Sequence, residues 1–151
     1  MGKRDIKEMG ISKITKSLPD TYAYTKRMAE HVLFEHNEQN KKFPLVFLRP
    51  AILGASMSEP VPGWTDTMGL LSGFTYAVGM GVLKDCPGNP EYFLDVIPVD
   101  TVARQLLVSI PYAVHQARLS GGENRLLVSQ VSTSALNPIA VQAFFNHVVE
   151  Y

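Results

Sequence analysis

From Thr21 onward, apolar and polar positions alternate in two distinct rhythms. Between Tyr22 and Glu38 the period is helical: Tyr22, Lys26, Ala29 and Leu33 fall on one stripe, with Thr25, Val32 and His36 beside it. Asp20 is placed to cap the free amides of this helix, and Pro19 resists continuation of anything before it. Phe43 to Leu48 is then a short unbroken apolar run, the pattern of a strand covered on both faces, and it stops at Arg49-Pro50. Ala51 to Ser56 reads as a loop leaving the carboxyl end of that strand, the edge at which open α/β sheets bind ligands. Glu59 to Trp64 is turn-rich. Thr67 to Leu83 carries no charge but holds Gly69, Gly73, Gly79 and Gly81. It is shorter than the roughly 20 residues a membrane span needs, so a glycine-rich helix and loop lining an apolar pocket is expected.

A second strand is predicted over Tyr92–Ile97, followed by a helix with Pro98 at its first position and Asp100 in its first turn, disturbed at Pro111. Ser120 to Glu123 is a turn, Leu126–Val131 a third strand, and Asn137-Pro138 the start of a last helix with Ile139, Val141, Phe144, Phe145 and Val148 as its apolar members. The order of helices and strands is that of an α/β protein, with no internal repeat.

Composition narrows the classes. The 151 residues are 46% apolar, enough for one compact domain with a core. Fourteen basic and fourteen acidic residues balance, so nothing in the charge points to a nucleic-acid partner. The single Cys86 excludes an intrachain disulfide and offers no zinc spacing, so no metal is expected. Met1 to Lys16 alternates charges, lacks the apolar core of a signal peptide, and is read with Ser17 as a lead-in segment over residues 1–17. Asp95 and Asp100 are expected to serve a strand end and a helix start in preference to acting as a catalytic pair.

The chemistry sits on Tyr22 and Lys26. Four residues apart on a helix, they lie one above the other. A lysine on an apolar stripe needs a use, and a cation beside a phenol favours phenolate, which brings the hydroxyl toward proton-transfer work.

Thr21-Tyr22-Ala23-Tyr24-Thr25-Lys26-Arg27-Met28-Ala29-Glu30 resembles the active-site helix of fatty acyl-CoA reductases, within the extended short-chain dehydrogenase/reductase superfamily. The likeness continues through Leu48-Arg49-Pro50-Ala51-Ile52, Glu59-Pro60-Val61-Pro62-Gly63-Trp64-Thr65-Asp66, Gly79 to Leu83, Asp95 to Asp100 and Asn137-Pro138-Ile139, so residues 18–151 are covered. The Glu-Pro-x-Pro-Gly-Trp loop is the most specific piece. The resemblance implies a partial Rossmann-like, doubly wound parallel sheet with flanking helices that lacks the first β-α units. It implies NADPH as cofactor and a long-chain acyl-CoA as substrate, reduced through the aldehyde to the alcohol. Tyr22 would donate the proton and Lys26 would hold the nicotinamide ribose. Pro50, Ala51, Ile52 and Leu53 would lie on the cofactor side, and Ser56 and Trp64 on the substrate side.

Departures from the family pattern are equally definite. No glycine-rich phosphate turn follows a strand, and no serine partner for the tyrosine is identifiable. Thr67 and Lys84 stand where the family commonly has asparagine and arginine. The chain therefore reads as the second half of a reductase domain that pairs with its missing first half or with a partner chain, and alone it is expected to bind dinucleotide weakly. The alternatives are a non-catalytic relative serving as a lipid-binding or assembly module, and another extended dehydrogenase or epimerase acting on a sterol or sugar nucleotide. Family members work on the cytoplasmic side of peroxisomal or endoplasmic-reticulum membranes, which here would require regions outside this chain.

Overall fold

The structure, a computed structural model, describes residues 20–40, 43–121 and 126–150. The lead-in over residues 1–17, Pro19, the lysines after Asn40 and the Gly122-Glu123 part of the predicted turn lie outside the described residues.

Helix α1 spans Thr21–Asn40. Its start follows from Asp20, whose carboxylate accepts a hydrogen bond from the Ala23 amide at 2.7 Å. Strands β1 (Leu45–Pro50) and β2 (Ile52–Gly54) follow, then α2 (Leu70–Gly79), β3 (Phe93–Leu94), β4 (Val96–Pro98), α3 (Val99–Leu119), β5 (Leu126–Val131), β6 (Ile139–Ala140) and α4 (Val141–Val149). β1 pairs in parallel with β5, from Leu45 opposite Leu126 to Pro50 opposite Val131. β2 pairs in parallel with β4, and β3 pairs antiparallel with β6. Small parallel sheets flanked by helices are thus the scaffold, as expected of a partial nucleotide-binding domain.

Several boundaries differ from the sequence reading, each for a tertiary reason. Ala51 to Gly54 is not a loop. The chain runs on past Pro50 and changes partner, the Ala51 amide donating to the Val131 carbonyl at 2.9 Å and the Ile52 amide to the Asp95 carbonyl at 3.0 Å. The run from Tyr92 to Ile97 is two short strands broken at Asp95, because its halves pair with different neighbours. β1 is half-buried beyond Leu45 and exposed at Arg49 and Pro50, so it is not enclosed on both faces. α3 continues through Pro111 to Leu119. Pro111 deprives the Leu107 carbonyl of its helical donor, and Leu107 is exposed. Pro98 is the cap of α3, not its first residue, and the last helix begins after Ala140 because Ile139 and Ala140 are taken into β6.

The buried apolar residues described are Leu45, Val78, Ile97, Ala113 and Val131, drawn from three strands, β1, β4 and β5, and two helices, α2 and α3. α2 and α4 pack through Phe74, which lies edge-on to Phe145 at 5.5 Å between ring centroids and beside Phe144 at 6.3 Å. No helix among the described residues is long and apolar enough to cross a membrane.

Candidate functional site

α1 lies antiparallel to β1. At one end the His36 and Phe43 rings meet at 6.3 Å. At the other, Arg49 Nε donates to Glu30 Oε1 at 2.9 Å while Nη2 reaches Oε2, a bidentate pair. The Arg49 guanidinium holds the Glu30 carboxyl below its usual range, and Glu30 in turn raises Arg49. Since Arg49 is near the end of β1 and Tyr22 precedes Glu30 by two helical turns, Tyr22 stands about 12 Å further along, beyond the carboxyl end of the sheet. Lys26 Nζ sits 5.4 Å from the Tyr22 ring centroid, and both side chains are exposed.

The expected apolar stripe does not face the sheet. Tyr22, Val32 and Leu33 are exposed, and so is Lys26, whereas Ala23 and Glu30 are half-buried and Asn37 is buried. These three are seven apart, so the packed face lies about one residue step around the helix from the predicted one. Lys26 is therefore not a buried cation seeking a partner but a solvent-facing cation stacked on a phenol.

The second component is the loop between β2 and α2. Ser56 is buried at its base; its hydroxyl donates to the Val61 carbonyl at 2.5 Å and accepts from the Trp64 amide at 3.2 Å. The backbone closes the same loop, with the Ser56 amide on the Trp64 carbonyl, the Gly63 amide on the Ser56 carbonyl, and Gly63 at φ 81°. From α3, the buried Asp100 carboxylate accepts the amides of Met57 and Ser58 at 3.0 Å and of Glu59 at 3.2 Å, and the Ser58 hydroxyl at 3.0 Å. Arg104 adds a hydrogen bond to the Ser58 hydroxyl at 2.6 Å and lies 3.5 Å from Asp100. The Met57 amide foremost, joined by those of Glu59 and Ser58 and by the Ser58 hydroxyl, keeps the Asp100 carboxyl well below the usual carboxylate range, against the opposing effect of its desolvation.

This anchored loop forms one wall of an apolar pocket of about 770 Å³. Met57, Gly63 and Thr65 supply that wall, Leu71, Thr75 and Tyr76 of α2 the next, and Gly54 of β2 with Val96, Pro98 and Leu136 much of the rest. The pocket thus opens at the carboxyl ends of β2 and β4, as the glycine-rich apolar segment led us to expect. Gly54 is needed for its shape: a Cβ there would sit 2.9 Å from Val96 Cγ1 and 3.5 Å from Leu71 Cδ2. Gly54→Ala is expected to destabilise the protein by about 1–3 kcal/mol, measured by denaturant titration, because the stiff Val96 side chain cannot swing away as a long one would.

Each predicted site residue has a definite place. Tyr22 and Lys26 are together beyond β1. Pro50, Ile52 and Leu53 are exposed at the same end, with Ala51 half-buried, and the amides of Ala51 and Ile52 are both committed to the sheets. Ser56 and Trp64 are in the anchored loop, but the Ser56 hydroxyl is engaged within it, and the pocket takes its lining from Gly63 and Thr65 on either side of Trp64. Asp95 is held by the Ser132 hydroxyl at 2.7 and 2.8 Å, apart from Asp100, so the two aspartates form no pair. The residue that sequence reasoning passed over is Asp100 in its anchoring role. The available signal was a carboxylate inside an apolar helical stripe with Val99, Val102, Ala103 and Leu106.

Comparison with known proteins agrees with this architecture. The NAD-binding family described as male sterility protein matches residues 3–106. The probable fatty acyl-CoA reductase 5 of Arabidopsis thaliana is 32% identical over 97% of this chain and 28% of its own length. Fatty acyl-CoA reductase 1 of Xenopus laevis is 34% identical over 91% of this chain and 25% of its own length. The human fatty acyl-CoA reductase 1 gives 32% over 91% and 25%. The chain spans about a quarter of the length of these relatives. With a family model matching more than half of its residues, the chain belongs to the male sterility protein family of NAD-binding domains.

Proposed function

We propose that this chain is the proton-transferring and substrate-holding half of an NADPH-dependent, alcohol-forming fatty acyl-CoA reductase. The observation that carries the reading is one edge of the fold: a solvent-facing Tyr22–Lys26 pair beyond the carboxyl end of β1, and an apolar pocket at the carboxyl ends of β2 and β4.

The residues at this edge fit a reduced nicotinamide dinucleotide. Lys26 offers free donors for ribose hydroxyls, and the exposed Leu53 offers apolar surface for a flat ring. When bound, the cofactor supplies hydride to the carbonyl carbon. Tyr22 Oη gives its proton to the carbonyl oxygen as that hydride arrives, and the Lys26 ammonium beside the ring stabilises the charge left on the phenol oxygen. The apolar pocket excludes water from the acyl chain and fixes the carbonyl against Tyr22. A thioester reduced once yields aldehyde and thiol, and the aldehyde reduced again at the same edge yields the primary alcohol. Exposed Val32, Leu33 and Phe34 on α1 support docking of the remaining β-α units there.

The test is acyl-CoA-dependent NADPH oxidation by the full-length protein with product analysis. Consumption of two NADPH per fatty alcohol formed is expected. NADPH consumption only with sugar nucleotides or sterols, or none at all, would reject the reading.

A further inference from the structure

A second apolar cavity, of about 350 Å³, adjoins the first. It is walled by Ile52, Leu70, Phe74, Leu94, Val141 and Phe145. The two cavities have two residues in common, Leu71 of α2 and Phe144 of α4. Leu71 reaches toward β2, its Cδ2 lying 3.5 Å from where a Gly54 Cβ would be, and Phe144 is braced by Phe74 at 6.3 Å and Phe145 at 6.2 Å. These two side chains therefore stand where the cavities meet, and Leu71 can change rotamer without moving backbone.

We propose that the two cavities are successive chambers for one unbranched acyl chain, and that Leu71 and Phe144 form the constriction through which its methyl end passes into the inner chamber. The inference rests on the reductase reading and extends it to the selection of chain length. Two features of the inner chamber point to this occupant. Its lining is almost wholly carbon, so a polar ligand would lose its water without replacement. It adjoins the outer cavity at Leu71 and Phe144, so the end of a chain lying in the first cavity meets the second at these two side chains. Each methylene that passes the neck leaves water for an apolar wall, worth about fourfold in affinity.

Chains that end in the outer chamber are indifferent to the inner one. Filling the inner chamber therefore penalises long chains only, and widening the neck favours them.

The experiment uses the full-length protein, wild type against Val141→Phe, which fills the inner chamber, and Leu71→Ala, which widens the neck. kcat/KM is measured across saturated acyl-CoAs of increasing length, and the same fatty acids are used to displace a fluorescent chain. For Val141→Phe, kcat/KM and displacement are expected to be unchanged for short chains and to fall at least tenfold for the longest, shifting the preferred length downward. For Leu71→Ala the preferred length shifts upward, so a folding failure in one variant leaves the other to decide. Equal effects on all lengths in both variants would overturn the two-chamber arrangement even with the reductase active. Length-dependent displacement without any acyl-CoA reduction would uphold the chambers and reject the reductase reading.

Discussion

Tyr22→Phe in the full-length protein lowers kcat for acyl-CoA reduction by about 10²–10⁴-fold while leaving acyl-CoA binding nearly unchanged. The substitution removes one hydroxyl and little volume. Tyr22 is exposed, and its ring meets Lys26 but fills no core, so stability should hardly respond. The phenyl ring can still accept the Lys26 cation, and the surface from Pro50 to Leu53, the cofactor side in the proposed reading, is untouched. What is lost is the proton at the place where the carbonyl oxygen gains charge. Single-turnover measurements separate this from a binding effect: the expected loss is in the hydride-transfer step. Unchanged turnover would mean that the phenol is not the donor.

Asp100 should give the second largest effect, although it acts only through the loop that its carboxylate anchors. Asp100→Asn keeps the size of the side chain but replaces one acceptor oxygen by a donor, which then faces the amides of Ser58 and Glu59 or of Met57. The loop carrying Met57, Gly63 and Thr65 should shift, and a displacement of the pocket wall by about 1 Å corresponds to about 10²-fold in kcat/KM. The effect should fall on KM for the acyl-CoA more than on KM for NADPH, which distinguishes loss of the wall from general unfolding.

The pH dependence carries a separate sign. The folded carboxyl is depressed well below its unfolded value of about 4, so its stabilising contribution is fully present above that value and is lost as pH falls toward the folded one. Wild type should lose stability on acidification through this window more steeply than Asp100→Asn. Acid-unfolding curves followed by circular dichroism measure the difference, and parallel curves would show that Asp100 is not ionised in the loop.

How much of this was written in the chain depends on where the information resides. Asp20 as a cap, the 126–131 strand and the apolar helix after Gly69 were readable because each is set by local chemistry or by an unbroken run. The nature of residues 51–54 was not, because Ala51 and Ile52 are extended only by virtue of carbonyls on Val131 and Asp95, far along the chain. The rotation of α1 was hidden for a similar reason. Its packed face includes Glu30 and Asn37, which no hydropathy pattern selects, and it is fixed by Arg49. The stacking of Lys26 on Tyr22 followed from their spacing of four, whereas the anchoring role of Asp100 required knowing that three consecutive amides would be brought to it.

The pairing of β1 with β5 also bears on how the protein is made. Leu45 must wait for Leu126, 81 residues later, before its ladder can close. At ribosomal rates of about 5–20 residues per second, the nascent β1 edge is uncovered for about 4–16 s. During that interval its Leu-Val-Phe-Leu run is a ready template for a neighbouring nascent chain. Until Val131 has emerged, pairing of this strand with a neighbouring chain competes with its closure on β5.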